Sequence, residues 1–203
     1  MMATAVLTPI GQLMKPAVGR PEIVEVPELN FLMVDGRGAP EASDDFQAAI
    51  GALYPLAYGA KFALKRSGVE TRVMPLEALW WTSSSGAFVP EELARWRWTA
   101  MIMQPDEVTV ELIEKVRADA MRKKPNPTLA KVALKTFREG LCAQIMHVGP
   151  YTAEKPTIEK LHAFIAAEGY TLSGKHHEIY LGDPRRAAPE KLRTIVRQPI
   201  VRR

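Results

Sequence analysis

Apolar positions along the chain alternate between short unbroken runs and stripes at helical spacing. Phe31 to Val34 is a run of the first kind, closed by Asp35-Gly36-Arg37-Gly38, which predicts a strand ending in a turn. Phe46, Ile50, Leu53, Ala57, Ala60 and Leu64 form a stripe of the second kind and predict a helix. Ser43 or Asp44 can cap its start, with Gln47 placed to complete a capping box on Asp44, and Lys65 and Arg66 suit its negative end before Gly68 stops it. Pro55 lies inside the stripe and predicts a kink. Thr71 to Trp81 and Trp96 to Gln104 read as strands, and Glu107 to Lys124 as a helix that Pro125 and Pro127 end.

The second half repeats this order. Leu141 to Val148 is a strand closed by Gly149-Pro150, Pro156 to Gly169 a helix, and His176 to Leu181 and Leu192 to Gln198 are strands. Gln104-Pro105 ends one half and Gln198-Pro199 the other. The pattern predicts an α+β fold of duplicated strand-helix-strand-strand modules, with an antiparallel sheet. The repeats would run over about 28–105 and 128–200 within a domain of residues 21–203, after a leader of residues 1–20 that runs into extended chain at Pro16, Pro21 and Pro27. A groove at the junction of two such modules is a common place for a ligand.

Composition narrows the class. A chain of 203 residues with 47% hydrophobic and 25% charged residues is an ordinary globular protein that needs no staples. Cys142 is the single cysteine, which excludes an internal disulfide and a cysteine-based zinc site and suits a reducing compartment. No apolar run approaches a membrane span, and the N-terminus lacks a basic leader, so a cytoplasmic protein without membrane contact is expected. The net charge of +4 gathers in Lys115–Arg138 and Arg185–Arg203. No nucleic-acid-binding motif accompanies it, so these read as solvated faces and nucleic acid is not an expected partner.

Two groups of residues carry candidate chemistry. Trp80, Trp81, Trp96 and Trp98 fall in two neighbouring predicted strands. Alternation puts Trp96 and Trp98 on one face and separates Trp80 from Trp81, which shares its face with Leu79 and Glu77. Indoles present flat faces to arenes and cations, and this density predicts an aromatic cage containing two or three of them. In the second group, His176, Glu178 and Tyr180 share one face of a strand, while His177, Ile179 and Leu181 share the other. A carboxylate inside an apolar strand must be paired or face a wet cleft, where it attracts a cation or acts as general base. Tyr54 and Tyr58 form an i, i+4 stripe with Phe62, and Tyr151 follows the Gly149-Pro150 turn as a rim residue. Adjacent histidines on a strand face opposite ways, so no metal site is expected, and no cofactor fingerprint occurs.

PLEALWW (75–81), WRWTAMIMQPDEVT (96–109), CAQIMHVGPY (142–151), EKPTIEKLHAFI (154–165) and GKHHEIYLGDPRRAAPEKLRTIVRQPI (174–200) resemble stand-alone proteins of the GyrI-like small-molecule-binding family. The resemblance covers the chain from about residue 20 onward. It implies helices on one side of the sheet, a ligand cleft at the pseudo-twofold, and a buried glutamate that meets cationic aromatic drugs in relatives serving as effector-binding domains; Glu178 matches that glutamate. The chain lacks the helix-turn-helix extension of the regulators. Its tryptophan-rich strands are similar to those of the cyclopropanoid cyclopropyl hydrolases, which add water to the strained ring of DNA-alkylating natural products.

Two readings stay open. As an enzyme, the protein would clamp a flat arene in the cage, with Glu178 orienting or deprotonating water and Tyr180 or Tyr151 binding the carbonyl that gathers charge; His176 would line the site. As a sink, it would hold flat aromatic or cationic xenobiotics without changing them. A third reading, a protein-binding module that shields a target, finds no acidic surface in this basic chain. A monomer or weak homodimer is expected.

Overall fold

A computed structural model describes residues 8–40, 44–82 and 95–203 of the chain. It is a mixed helix and sheet fold with antiparallel strand pairing. The described residues divide into two compact units, one drawn from residues 8–28 and 138–203 and the other from residues 29–40, 44–82 and 95–137. Among the described residues, no helix is long and apolar enough to cross a membrane.

The second unit holds the later half of strand β1 (Glu22–Arg37), helix α2 (Asp44–Arg66), strands β2 (Leu76–Thr82) and β3 (Trp96–Gln104), and helix α3 (Val110–Lys123). Strand β3 lies between β1 and β2, with Leu32 opposite Ile102 and Trp80 opposite Trp98. Helix α2 begins at Asp44; Ser43 lies outside the described residues. Of the predicted stripe, Phe46, Leu53, Ala57, Ala60 and Leu64 are buried and Ile50 is only partly so; Ala49, Ala52 and Leu56 widen the buried face, and the helix continues through Pro55. Strand β2 starts five residues later than expected, at Leu76 rather than Thr71, because Pro75 has no N–H to offer a ladder. Helix α3 starts at Val110 because Thr109 caps it, its Oγ1 accepting from Leu112 N at 3.3 Å.

The first unit holds the short helix α1 (Ile10–Leu13), strand β4 (Ala133–Val148) from Arg138 onward, helix α4 (Lys155–Ala167), and strands β5 (Tyr170–Leu172), β6 (His176–Tyr180) and β7 (Arg193–Arg202). Strand β7 is the organiser. It pairs with β4 through Ile145 opposite Val196, with β6 through Tyr180 opposite Thr194, and with β5 through Leu172 opposite Ile200. Helix α4 turns Leu161 and Ile165 onto Ala143, Ile145 and Val196, all fully or almost fully buried. Each of the larger ones, Leu161, Ile165, Ile145 and Val196, removes enough apolar surface from water to contribute about 2 kcal/mol. Strands β1 and β4 are both longer than their apolar runs predicted, since alternating residues such as Val24 and Val26 extend the ladder past the unbroken stretch.

Candidate functional site

Strand β6 sends His176, Glu178 and Tyr180 to the face that α4 covers. Tyr180 Oη donates to Glu178 Oε2 at 2.7 Å, and His176 Nε2 donates to Glu178 Oε1 at 3.1 Å. The Glu178 side chain is 12% exposed. Burial pushes its carboxyl up, but the hydrogen bond and charge of His176, the Tyr180 hydroxyl and a hydrogen bond from Glu154 outweigh that and hold it below the ordinary carboxylate range. Glu178 is therefore an anion at neutral pH.

Glu154 is its neighbour. It stands at the N-terminal end of α4, where an acidic side chain usually caps, yet it makes no cap hydrogen bond and turns inward instead. It is 5% exposed. Burial and the charge of Glu178 push its carboxyl up to about 9, so it carries a proton and donates it to Glu178. The fully buried Thr194 lies beside the Glu154 carboxyl, yet neither its Oγ1 nor Glu154 Oε1 has a hydrogen bond of good geometry. Two neighbouring residues thus each keep a buried polar atom without a partner, which suits a water or a ligand oxygen.

Along α4, Glu154, Ile158, Leu161, His162 and Ile165 follow helical spacing and share the buried side. His162 comes next to His176; burial and the charge of His176 hold it low and hence neutral. At the other end Tyr151 meets Tyr180 edge to face, with ring centroids 5.5 Å apart, and at 37% exposure it is the most exposed member of the group. The first unit therefore joins the expected residues Glu178, Tyr180, His176 and Tyr151, and adds Glu154, Thr194 and His162. The sequence reading passed over Glu154 because an acidic residue at a helix start is ordinarily a cap; its signal was the Pro156 that fixes the helix start two residues on.

The other face of β6 carries a separate ion cluster. His177 Nδ1 donates to Glu139 Oε1 at 3.0 Å and Arg197 Nη1 donates to Glu139 Oε2 at 3.1 Å. Burial raises the Glu139 carboxyl, and the charges of His177 and Arg197 more than offset this, bringing it to about 2. Arg197 also reaches Gln144 Oε1 and the carbonyl of Leu13.

The four tryptophans belong to the second unit. Trp80 and Trp98 are 2% and 1% exposed and pack on Phe46, with centroids 5.4 and 5.1 Å away. The indole of Trp98 donates to the carbonyl of Gly38 at 3.2 Å. Trp96 stacks edge to face on Trp80 at 5.4 Å and stays partly exposed. Trp81 lies on the opposite face, partly buried against Phe31, Met33, Leu79, Met101 and Met103, and the 1%-exposed Glu77 alternates onto that face. Tyr54, Tyr58 and Phe62 form a stacked row along α2, with Tyr58 47% exposed. Cys142 is fully buried, and burial pushes its thiol well above the range in which it reacts.

Comparison with known proteins supplies a family for this geometry. The model of a family described as a GyrI-like small molecule binding domain matches residues 20–201. An uncharacterized conserved protein from Listeria innocua is 40% identical, with 95% of this chain and 97% of that chain covered and a TM-score of 0.87. A structure described as a hydrolase from Listeria innocua is 40% identical, with 95% and 96% covered and a TM-score of 0.81. The C-terminal domain of EcmrR shares the fold at 10% identity, with 91% and 98% covered and a TM-score of 0.56. No curated protein matches the chain.

Proposed function

This chain belongs to the GyrI-like small molecule binding domain family, and from that premise we propose that it takes up flat aromatic or cationic xenobiotics and adds water to the cyclopropane of DNA-alkylating ones. The observation that carries the reading is the pairing of Glu178, held as an anion by His176 and Tyr180, with Glu154, held protonated beside it. Paired carboxyl groups with pKa values pushed apart supply a base and an acid in one place. The description of a 40%-identical relative as a hydrolase supports the same class of chemistry.

In the proposed step, a water hydrogen-bonded to Glu178 attacks a ring carbon of the cyclopropane. The C–O bond forms as the strained C–C bond breaks, and its electron pair moves into the conjugated carbonyl. The water proton passes to Glu178, and Glu154 gives its proton to the carbonyl oxygen, which becomes the phenol hydroxyl of the product. Glu178 is then protonated and Glu154 ionised, and one proton crossing their hydrogen bond restores the pair. Most of the acceleration comes from holding water against a strained electrophile in a dry site. Tyr151, at the exposed rim, shields the entrance.

The aromatic cage belongs to this proposal. Trp96, partly exposed on the face of Trp80 and Trp98, offers a ring face to an arene and is backed by those two indoles; Trp81, partly exposed on the opposite face, would serve a separate contact, and Tyr54 and Tyr58 extend the aromatic surface along α2. The activity is assigned to the cytoplasm, to a monomer or weak homodimer using no metal or cofactor.

A sequestering role is the second reading, favoured by Glu178 being charged before any ligand arrives. Incubation with a cyclopropane-bearing alkylator, followed by mass spectrometry, separates the two. Water addition faster than in buffer, lost in Glu154→Gln and Glu178→Gln, is the expected result. Tight binding with the compound recovered unchanged sinks the hydrolase and leaves the sink.

A further inference from the structure

His147 sits on β4 opposite Thr194 of β7, which in turn lies opposite Tyr180 of β6, so the three residues form one row across the sheet face that α4 covers. It is 6% exposed, and both ring nitrogens are used. Nδ1 lies 2.9 Å from Thr157 Oγ1, and Nε2 lies 3.3 Å from the carbonyl of Pro150. A carbonyl only accepts, so Nε2 carries the hydrogen; in the neutral ring Nδ1 then accepts from the Thr157 hydroxyl. Pro150 and Thr157 bracket the 3-10 turn Tyr151–Ala153 and Glu154. One ring therefore ties together the two ends of the segment that delivers both Tyr151 and Glu154.

The chain around it fits this tie. Gly149 takes φ 138°, a left-handed value that side chains avoid, and its N–H donates to Leu192 O at 3.0 Å. A Cβ on Gly149 would come within 3.3 Å of His147 Nε2. The turn thus folds Pro150 back onto the ring. Glu154 has no side-chain cap bond to hold it at the helix start, so its inward direction depends on the segment's path.

We propose that His147 is a positioning residue for the proposed hydrolysis, acting through Pro150 and Thr157 to hold the Glu154 carboxyl against Glu178. It touches neither substrate nor reacting atoms. The inference rests on the reading of Glu154 and Glu178 as the working pair, but its test needs no substrate. Glu178, His176 and Tyr180 face the Glu154 carboxyl or its partner, and all stay unchanged in the variants.

Side-chain carboxyl carbons of glutamate, labelled with carbon-13 in the full chain, report the Glu154 titration directly. In His147→Ala the Glu154 midpoint should fall toward the ordinary carboxylate range by about one unit or more. His147→Gln, which keeps a donor where Nε2 stands, should restore most of it. A folded His147→Ala protein with the Glu154 midpoint unmoved overturns the proposal. Should His147→Ala not fold, Thr157→Val removes one of the two ties at a partly exposed helical position and is expected to move the same midpoint the same way. Nitrogen-15 shifts of the wild-type ring give a further check: the Nε2–H tautomer agrees, and the Nδ1–H tautomer overturns it. If the ring-opening assay fails while the Glu154 midpoint still follows His147, the hydrolase reading falls and only the placement of Glu154 by His147 stands, without a role in hydrolysis.

Discussion

Tyr180 and Glu178 are joined by a 2.7 Å hydrogen bond between residues two apart on one strand, the phenol donating to a carboxylate that His176 holds from the other side. A hydrogen bond to a buried charge contributes about 1.5–3 kcal/mol. Tyr180→Phe should therefore lower the unfolding free energy by about 2 kcal/mol at neutral pH. It should also move the Glu178 titration upward, since a donor to the charged form is lost. Urea unfolding and carboxyl NMR check both, and a variant unchanged in each would remove Tyr180 from the site.

Glu154 and its pH dependence run opposite to the usual carboxylate. Burial and then the Glu178 charge raise its folded pKa from 4.5 to about 9. The folded state thus holds a proton that the unfolded state gives up between those values. The stability linked to Glu154 is complete below pH 4.5 and is lost as pH rises toward about 9. Its slope reaches at most about 1.4 kcal/mol per pH unit. Glu154→Gln keeps a neutral donor and removes this slope, so wild type minus variant, measured by urea unfolding across that window, should decline with pH. The same change should slow ring opening by about a hundredfold.

Gly59 on α2 faces Val116 on α3 so closely that a Cβ would lie 2.2 Å from Val116 Cγ1. Gly59→Ala gains helix propensity of about 1 kcal/mol but forces the two helices of this unit apart, for a net loss of about 1–2 kcal/mol. Val116→Ala makes room, so the double variant should be more stable than the sum of the single changes predicts. Additivity in thermal unfolding would show that the helices do not meet there.

The helices were legible because their stripes are long: the buried side of α2 reproduces the spacing from Phe46 to Leu64. Strand centres were legible and their ends were not, since ladder pairing carries β7 through Pro199 to Arg202 and β4 back to Ala133, beyond any apolar run. The alternation that put His176, Glu178 and Tyr180 together was readable at period two. Glu154 and His147 were not, because their roles come from a turn that brings residues on different elements together. The tryptophan density was visible, but whether each indole packs or waits for a ligand depends on Phe46, which alternation along β2 and β3 does not report.

Glu139, 2% exposed, holds two cationic partners at once, Arg197 and His177, and its carboxyl falls to about 2. Here the folded pKa lies below the unfolded one. The linked stability is present above the ordinary carboxylate range and is lost as pH falls toward about 2. Arg197→Met strips the carboxylate of one partner and also frees Gln144 and the Leu13 carbonyl, which Arg197 otherwise holds. Breaking one side of a buried pair costs about 3–5 kcal/mol, whereas replacing both partners with apolar groups of similar size is much milder. Arg197→Met should thus be strongly destabilised at neutral pH, and Glu139→Leu combined with it should recover part of the loss. Hydrogen exchange at Leu13 and Met14 should speed up in the single variant, because the Leu13 carbonyl loses its anchor while Leu13 itself is only 2% exposed in the intact protein. Unfolding that stays as cooperative as wild type, with no faster exchange at those residues, would mean the cluster does not secure the N-terminal helix.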